Sequence, residues 1–236
     1  MPNRLVTGVI LDVDGTLVDS NDAHARAWAD VLRPAGYEVS LDHLRRLIGM
    51  GSDKLLRAAV GVEKDSPTGG LRQLSEQRKR VFAERYLPHL RPTRGAPELL
   101  DRLRQQGLDL RVASSAEGDE LAGLLAVCGA TDLVSRATPP DEVESSKPEP
   151  DVVQAALRKL ARPAAEVVML GDTPYDVEAA VRAGVGIIAV RCGGWDDPDL
   201  RGALAIYADP ADLLAHYTES PLARPLATNT QQGGLP

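Results

Sequence analysis

Two short acidic clusters hold the side chains best suited to chemistry in this sequence. Asp12-Val13-Asp14-Gly15-Thr16 follows one apolar run, and Gly171-Asp172-Thr173-Pro174-Tyr175-Asp176 follows another. Asp and Gly are common turn formers, so either cluster alone reads as a turn. Together they put carboxylates after two buried strands, at the edge where open α/β sheets bind ligands. Three or four carboxylates at close range raise one another's pKa and call for a cation. Every candidate ligand is a hard oxygen, and neither loop contains His or Cys, which favours Mg2+ over zinc or copper. Magnesium on one or two carboxylates keeps room for waters and a substrate phosphate, so the pattern asks for a phosphate ester.

Two further elements supply what a phosphoryl group needs. Ser114 and Ser115 end the apolar run Leu108 to Ala113 and offer hydroxyls and backbone N–H groups at the same edge. Lys147, in Ser145-Ser146-Lys147-Pro148-Glu149-Pro150, is a cation between prolines just ahead of a helix start, where the helix dipole also favours anions. A serine after a strand or a lysine in a loop is, taken singly, an ordinary solvated group. Their order between the two acidic loops gives them meaning.

The elements that must position these residues are legible from periodicity. Leu5 to Leu11, Leu108 to Ala113, Val167 to Leu170 and Gly186 to Val190 read as buried strands, with Asp132 to Ser135 a weaker candidate. Helical patterns separate them. Pro97 opens one with Leu99, Leu100 and Leu103 inward, Pro150 opens a second, and Thr173-Pro174 caps a third with Val177, Ala180 and Val181 inward. Alternation of this kind implies right-handed crossovers and a Rossmann-like α/β core, a parallel sheet flanked by helices. The region 21–88 has no convincing strand and reads as an inserted all-helical cap after the first strand. The expected division is therefore core 1–20, cap 21–88, core 89–219 and a mobile C-terminal tail 220–236.

Composition sets the remaining limits. The 236 residues are 43% hydrophobic with only two Trp, five Tyr and one Phe, so an aliphatic core is expected and an aromatic nucleic-acid platform is not. A net charge of −7 argues against a phosphate backbone as partner. Cys128 and Cys192 stand far apart without CxxC spacing, which makes reduced cytosol the expected location. With no long apolar segment, no membrane partner is expected, and the chain is read as a monomer or small homo-oligomer.

In these motifs the sequence resembles the haloacid dehalogenase superfamily from Leu5 to about Tyr217, and its early helical insertion resembles the subfamily of phosphoglycolate phosphatases and β-phosphoglucomutases. The resemblance implies Asp12 as nucleophile forming an aspartyl-phosphate and Asp14 as the acid and base that serves the leaving alcohol and the attacking water. For that role Asp14 needs a raised pKa, which Asp12 would supply. It further implies Ser114 and Lys147 on the phosphoryl oxygens, with Ser115 beside them. Magnesium would be held by Asp12, the carbonyl of Asp14, and Asp172, with Asp176 supporting the metal or orienting Lys147.

The cap is less explicit. His24 resembles a histidine of the first cap helix that faces the active site, with a plain packing role as the alternative, while Trp28 reads as cap core. Residues 49–54, with Gly49, Gly51, Ser52 and Lys54, form a candidate specificity loop or a simple helix connection. The expected activity is a magnesium-dependent phosphatase for a small phosphorylated metabolite of the phosphoglycolate or sugar phosphate type. The alternatives are a β-phosphoglucomutase-like sugar phosphomutase, or a non-catalytic phospholigand-binding regulatory protein.

Overall fold

A computed structural model describes residues 5–61, 70–138 and 145–223. Strand β1 (Gly8–Leu11) leads into the helices α1 (Asn21–Leu32), α2 (Leu41–Leu47), α3 (Ser52–Val60) and α4 (Gly70–Val81). After a π turn at Phe82–Tyr86, the chain continues as α5 (Ala96–Gln105), β2 (Asp109–Val112), α6 (Gly118–Val127), α7 (Asp151–Leu160) and β3 (Val167–Gly171). It closes with α8 (Pro174–Arg182), β4 (Gly186–Val190), β5 (Ala205–Tyr207) and α9 (Pro210–Ala215). The sheet has the order β2-β1-β3-β4-β5, with every pairing parallel.

A parallel sheet covered on both sides needs strands apolar at every position, and β1, β3 and β4 supply them. Their side chains alternate between two cores. Val9, Leu11, Val168, Leu170, Ile188 and Val190 face one core, with α5, α6 and α9, while Ile10, Val167, Met169, Ile187 and Ala189 face the other, with α7 and α8. The early helices form a third cluster around Trp28, Leu32, Leu44 and Leu55. The opposite side of α1 contributes Ala23 and Ala27 to the sheet's core, so this helix is apolar on two faces and cements the inserted helices to the sheet. Among the described residues the segment between β1 and α5 contains no strand, as its periodicity predicts.

Four features differ from the sequence reading. The segment Asp132 to Ser135 is not a strand but lies within a 3-10 turn, Thr131–Arg136, where only Leu133 points inward. The fifth strand is instead Ala205–Tyr207, whose three half-buried residues at the sheet edge carry no apolar run to announce them. Val181 is 57% exposed rather than inward, since α8 turns its buried stripe through Val177, Ala179 and Ala180. The C-terminal segment stays docked to Ala223: Ser220 is fully buried, its hydroxyl donates to the Tyr217 carbonyl (2.7 Å), and Leu222 joins the sheet's core. The rest of the expected tail, 224–236, lies outside the described residues.

This docking predicts that Leu222→Ala lowers stability by about 2 kcal/mol, the lower end for a buried leucine at a chain end. Urea denaturation of the two proteins measures it. A loss under about 0.5 kcal/mol, the level of an ordinary surface substitution, would place Leu222 outside the core.

Candidate active site

The carboxyl ends of β1, β2 and β3 are adjacent because the strand order puts β1 between β2 and β3. Asp12, Ser114 and Asp172 therefore leave the sheet side by side. Asp12, Asp172 and Asp176 bring carboxylate oxygens within 4.8 Å of one another, all buried. Lys147 is inserted between them, 1% exposed, with Nζ 2.5 Å from Asp12 Oδ1 and 2.7 Å from Asp176 Oδ1. Asp176 is fixed by its place in α8. Its Oδ2 accepts from the backbone N–H and hydroxyl of Thr173 at 3.1 and 2.7 Å, while its own N–H donates to Thr173 Oγ1, a reciprocal cap of the helix start. Asp172 accepts from Thr16 Oγ1 at 2.9 Å and from Asn21 Nδ2 at 2.9 Å.

Two glycines permit this closeness. Gly15 has φ +73°, and a Cβ there would lie 2.2 Å from Asp172 Oδ2; at Gly193 it would lie 1.7 Å away. Side chains at either position would displace the carboxylate.

Three carboxylates share the site with one ammonium, and the titration of Asp12 and Asp172 reflects the imbalance. Burial, followed by the Asp176 and Asp14 charges, pushes Asp12 up to about 7 in spite of Lys147. Burial and the Asp12 and Asp176 charges push Asp172 well above the carboxylate range against its hydrogen bonds from Asn21 and Thr16. Burial opposes the charge on Lys147, but Asp12 and Asp176 outweigh it and hold the ammonium protonated. A buried, all-oxygen cluster with surplus negative charge fits a hard divalent cation such as Mg2+, which would supply the missing positive charge beside Asp12.

Asp14 lies in a different environment. Its Oδ1 accepts from Ser20 Oγ at 2.6 Å and faces His24 Nε2 at 2.7 Å. His24 is buried from α1 and stacks on Phe82 with ring centroids 4.0 Å apart. Arg78 Nη1 stands 3.5 Å from His24 Nδ1 and donates to both oxygens of Glu120 at 2.9 and 2.7 Å. A guanidinium only donates, so its position favours Nδ1 as acceptor and Nε2–H as donor to Asp14. Burial resists the ionisation of Asp14, yet His24, Ser20 and Arg78 prevail and hold it below its ordinary range. The raised pKa expected for Asp14 is thus found on Asp12, because His24 and Ser20 dominate over the neighbouring carboxylate.

The remaining expected residues divide between cleft and seam. Ser114 is buried and its Oγ accepts from the Ala116 N–H at 3.0 Å, leaving its own proton free to donate. Gly49, Ser52 and Ser115 line the cleft above Asp12 and Asp14, and Ser115 Oγ also donates to the Gly49 carbonyl at 3.3 Å. Gly51 packs on Ser146, where a Cβ would come within 2.3 Å. Lys54 donates from Nζ to the Ser146 carbonyl at 2.5 Å and lies outside the lining of that cleft. Sequence reasoning missed Asn21, Arg78 and Glu120. Arg78 sits among other charged residues in α4, and only its burial sets it apart.

The shifts on Asp12 and Asp172 generate a prediction. A carboxyl whose folded pKa is raised binds more protons folded than unfolded, so its contribution to stability is present below about pH 4 and is lost as pH rises towards about 7. Chelator-treated protein should lose melting temperature over this range more steeply than Asp172→Asn, and Mg2+ should raise the melting temperature more at pH 8 than at pH 5. Thermal scans in chelator and in magnesium test both. An equal magnesium effect at the two pH values would contradict the charge imbalance.

The family described as haloacid dehalogenase-like hydrolase matches residues 9–190. A phosphoglycolate phosphatase of Rhodobacter capsulatus is 29% identical over 78% of this chain and 84% of its own length. An N-acetylmuramic acid 6-phosphate phosphatase of Pseudomonas aeruginosa is 28% identical over 91% of this chain and 96% of its own. In fold, the crystal structure of a β-phosphoglucomutase from Clostridium difficile superimposes with a TM-score of 0.81 at 16% identity, covering 92% of this chain and 97% of that one. The chain belongs to the haloacid dehalogenase-like hydrolase family and is an enzyme of its phosphatase type.

Proposed function

We propose that the chain is a magnesium-dependent phosphomonoesterase for a small phosphorylated metabolite, working through a phosphoryl group carried on Asp12. The observation that carries this reading is the convergence of Asp12, Asp172 and Asp176 on one another, with Lys147 engaging Asp12 and Asp176 and Asp14 held apart by His24. The inserted helices between β1 and α5 act as the cap, and residues 49–54 as the loop of the cap that meets the substrate. Asp12, Asp172, Asp176 and the backbone of Asp14 are the residues that would hold Mg2+, which supplies charge neutralisation beside the nucleophile.

In the first step a carboxylate oxygen of Asp12 forms a bond to phosphorus as the bond from phosphorus to the ester oxygen breaks. Lys147 and the Ser114 hydroxyl hold non-bridging oxygens, compensating charge as it spreads. Asp14 gives its proton to the departing alkoxide. For this step Asp14 must carry a proton against the lowering by His24, and the charge of a bound phosphate dianion acts in that direction. In the second step water attacks phosphorus, its proton passes to Asp14, and inorganic phosphate leaves Asp12 as a free carboxylate.

A phosphatase is favoured over a phosphomutase by the cap. A mutase must grip a second phosphate while the sugar turns, and the cap stretch 47–53, Leu47-Ile48-Gly49-Met50-Gly51-Ser52-Asp53, offers no cation for it. Ile48 is packed in the cap core. Lys54 is engaged by Ser146, and Arg57 is exposed on the outside of α3.

Release of phosphate from p-nitrophenyl phosphate should require Mg2+ and fall by about 10^4-fold or more in Asp12→Asn. Sustained turnover in Asp12→Asn would remove the nucleophile assignment. Asp14→Asn should cost far more with an alkyl phosphate than with p-nitrophenyl phosphate, whose leaving group departs without a proton; an equal loss on both would separate Asp14 from leaving-group protonation.

A further inference from the structure

Beside Asp12 and Asp14 the cleft is walled by Trp28, Ile48, Met50 and Leu55 with one ion pair, Arg78–Glu120. This is the space the alcohol portion of a phosphate ester would occupy if the phosphoryl group sits at Asp12. Both charged members are nearly inaccessible, their side chains 7% and 10% exposed. They come from opposite sides of the cleft, Arg78 from α4 and Glu120 from α6.

The pairing leaves a specific set of unused groups. Nη1 of Arg78 is spent on the two Glu120 oxygens, at 2.9 and 2.7 Å, and on the approach to His24. Its guanidinium plane covers the Trp28 ring at 5.2 Å. Nε, however, is buried with no hydrogen-bond partner. Beside it stands a carboxylate that accepts hydrogen bonds and repels anions. Lys147, the neighbouring cation, is already engaged by Asp12 and Asp176. A ligand hydroxyl can donate to the Glu120 carboxylate that lines the cleft, whereas a second ligand anion meets a cation whose charge Glu120 has cancelled.

We propose that the Arg78–Glu120 pair selects phosphate monoesters whose alcohol portion is uncharged and hydroxylated, and discriminates against those carrying a second anionic group. The inference rests on the reading of Asp12 as the phosphoryl site. It assigns specificity to an ion pair joining cap and core rather than to the loop at residues 49–54.

The test is a matched pair of esters, glycerol 3-phosphate and 3-phosphoglycerate, which share a three-carbon skeleton and differ in a hydroxymethyl against a carboxylate. Each is measured with Mg2+ as a substrate, and as a competitive inhibitor of p-nitrophenyl phosphate hydrolysis. The neutral ester should be preferred by at least about tenfold, and Glu120→Gln, which frees the charge of Arg78, should move the ratio towards the carboxylated ester by a similar factor. A wild-type ratio near or below one overturns the proposal without recourse to any variant, and so does a folded Glu120→Gln protein whose ratio is unmoved. Failure of the protein to hydrolyse any phosphate ester, p-nitrophenyl phosphate included, would overturn the proposed function and this inference with it.

Discussion

The buried ammonium of Lys147 between Asp12 and Asp176 is the contact on which the rest of the site depends. Its distances of 2.5 and 2.7 Å tie the end of β1 to the start of α8 through a loop that belongs to neither. Breaking one member of such a buried pair costs about 3–5 kcal/mol in proteins generally, because the partner is left charged and unsolvated. A third carboxylate, Asp172, brings an oxygen within 4.8 Å of both Asp12 and Asp176, so three carboxylates share the site with one ammonium and the cluster is short of positive charge by construction. That shortage makes the site receptive to a cation, and it is tolerable only because Thr16, Asn21 and Thr173 hold the carboxylates by hydrogen bonds.

The same arrangement separates the two aspartates of the first loop. Asp12 faces the crowded side and is pushed up by burial, while Asp14, two residues on, faces His24 and Ser20 and is pulled down. Both side chains leave one short loop, so their difference comes from what the inserted helices bring. His24 belongs to α1, Phe82 beneath it to the π turn, and Arg78 behind it to α4. The helices thus set the charge state of a group on the sheet and form the walls of the cleft at the same time. Further seams hold them closed over the sheet, with Tyr175 donating from its hydroxyl to the Arg46 carbonyl at 2.5 Å and Lys79 paired with Glu117 at 2.5 Å.

Much of the core site was legible in the sequence because strand ends are punctuated. An apolar run followed by Asp12 or Asp172 fixes both the element and the edge from which the side chain emerges, and the helix-start signal at Thr173-Pro174 fixes Asp176. Short or two-faced elements were less legible. Ala205–Tyr207 is too short and too exposed to carry a strand signal, and the apolar letters of Leu133 and Val134 imitated one inside a 3-10 turn. Val181 looked inward because helical spacing alone does not define where a short helix ends its contact with the sheet. The Arg78–Glu120 pair had no sequence signal at all. Its members are 42 residues apart and ordinary in type, and only tertiary packing buries them together.

The central claim is that Asp12 accepts the phosphoryl group. Rapid acid quench during turnover of an aryl phosphate, followed by peptide mapping by mass spectrometry, tests it directly, since an acyl phosphate survives brief exposure to acid. The account predicts one phosphoryl group on the peptide containing Asp12, absent when water has been given time to complete the cycle. A phosphoryl group found instead on Ser114 or Ser115, or a pre-steady-state burst of alcohol with no phosphoryl group on Asp12, would contradict it.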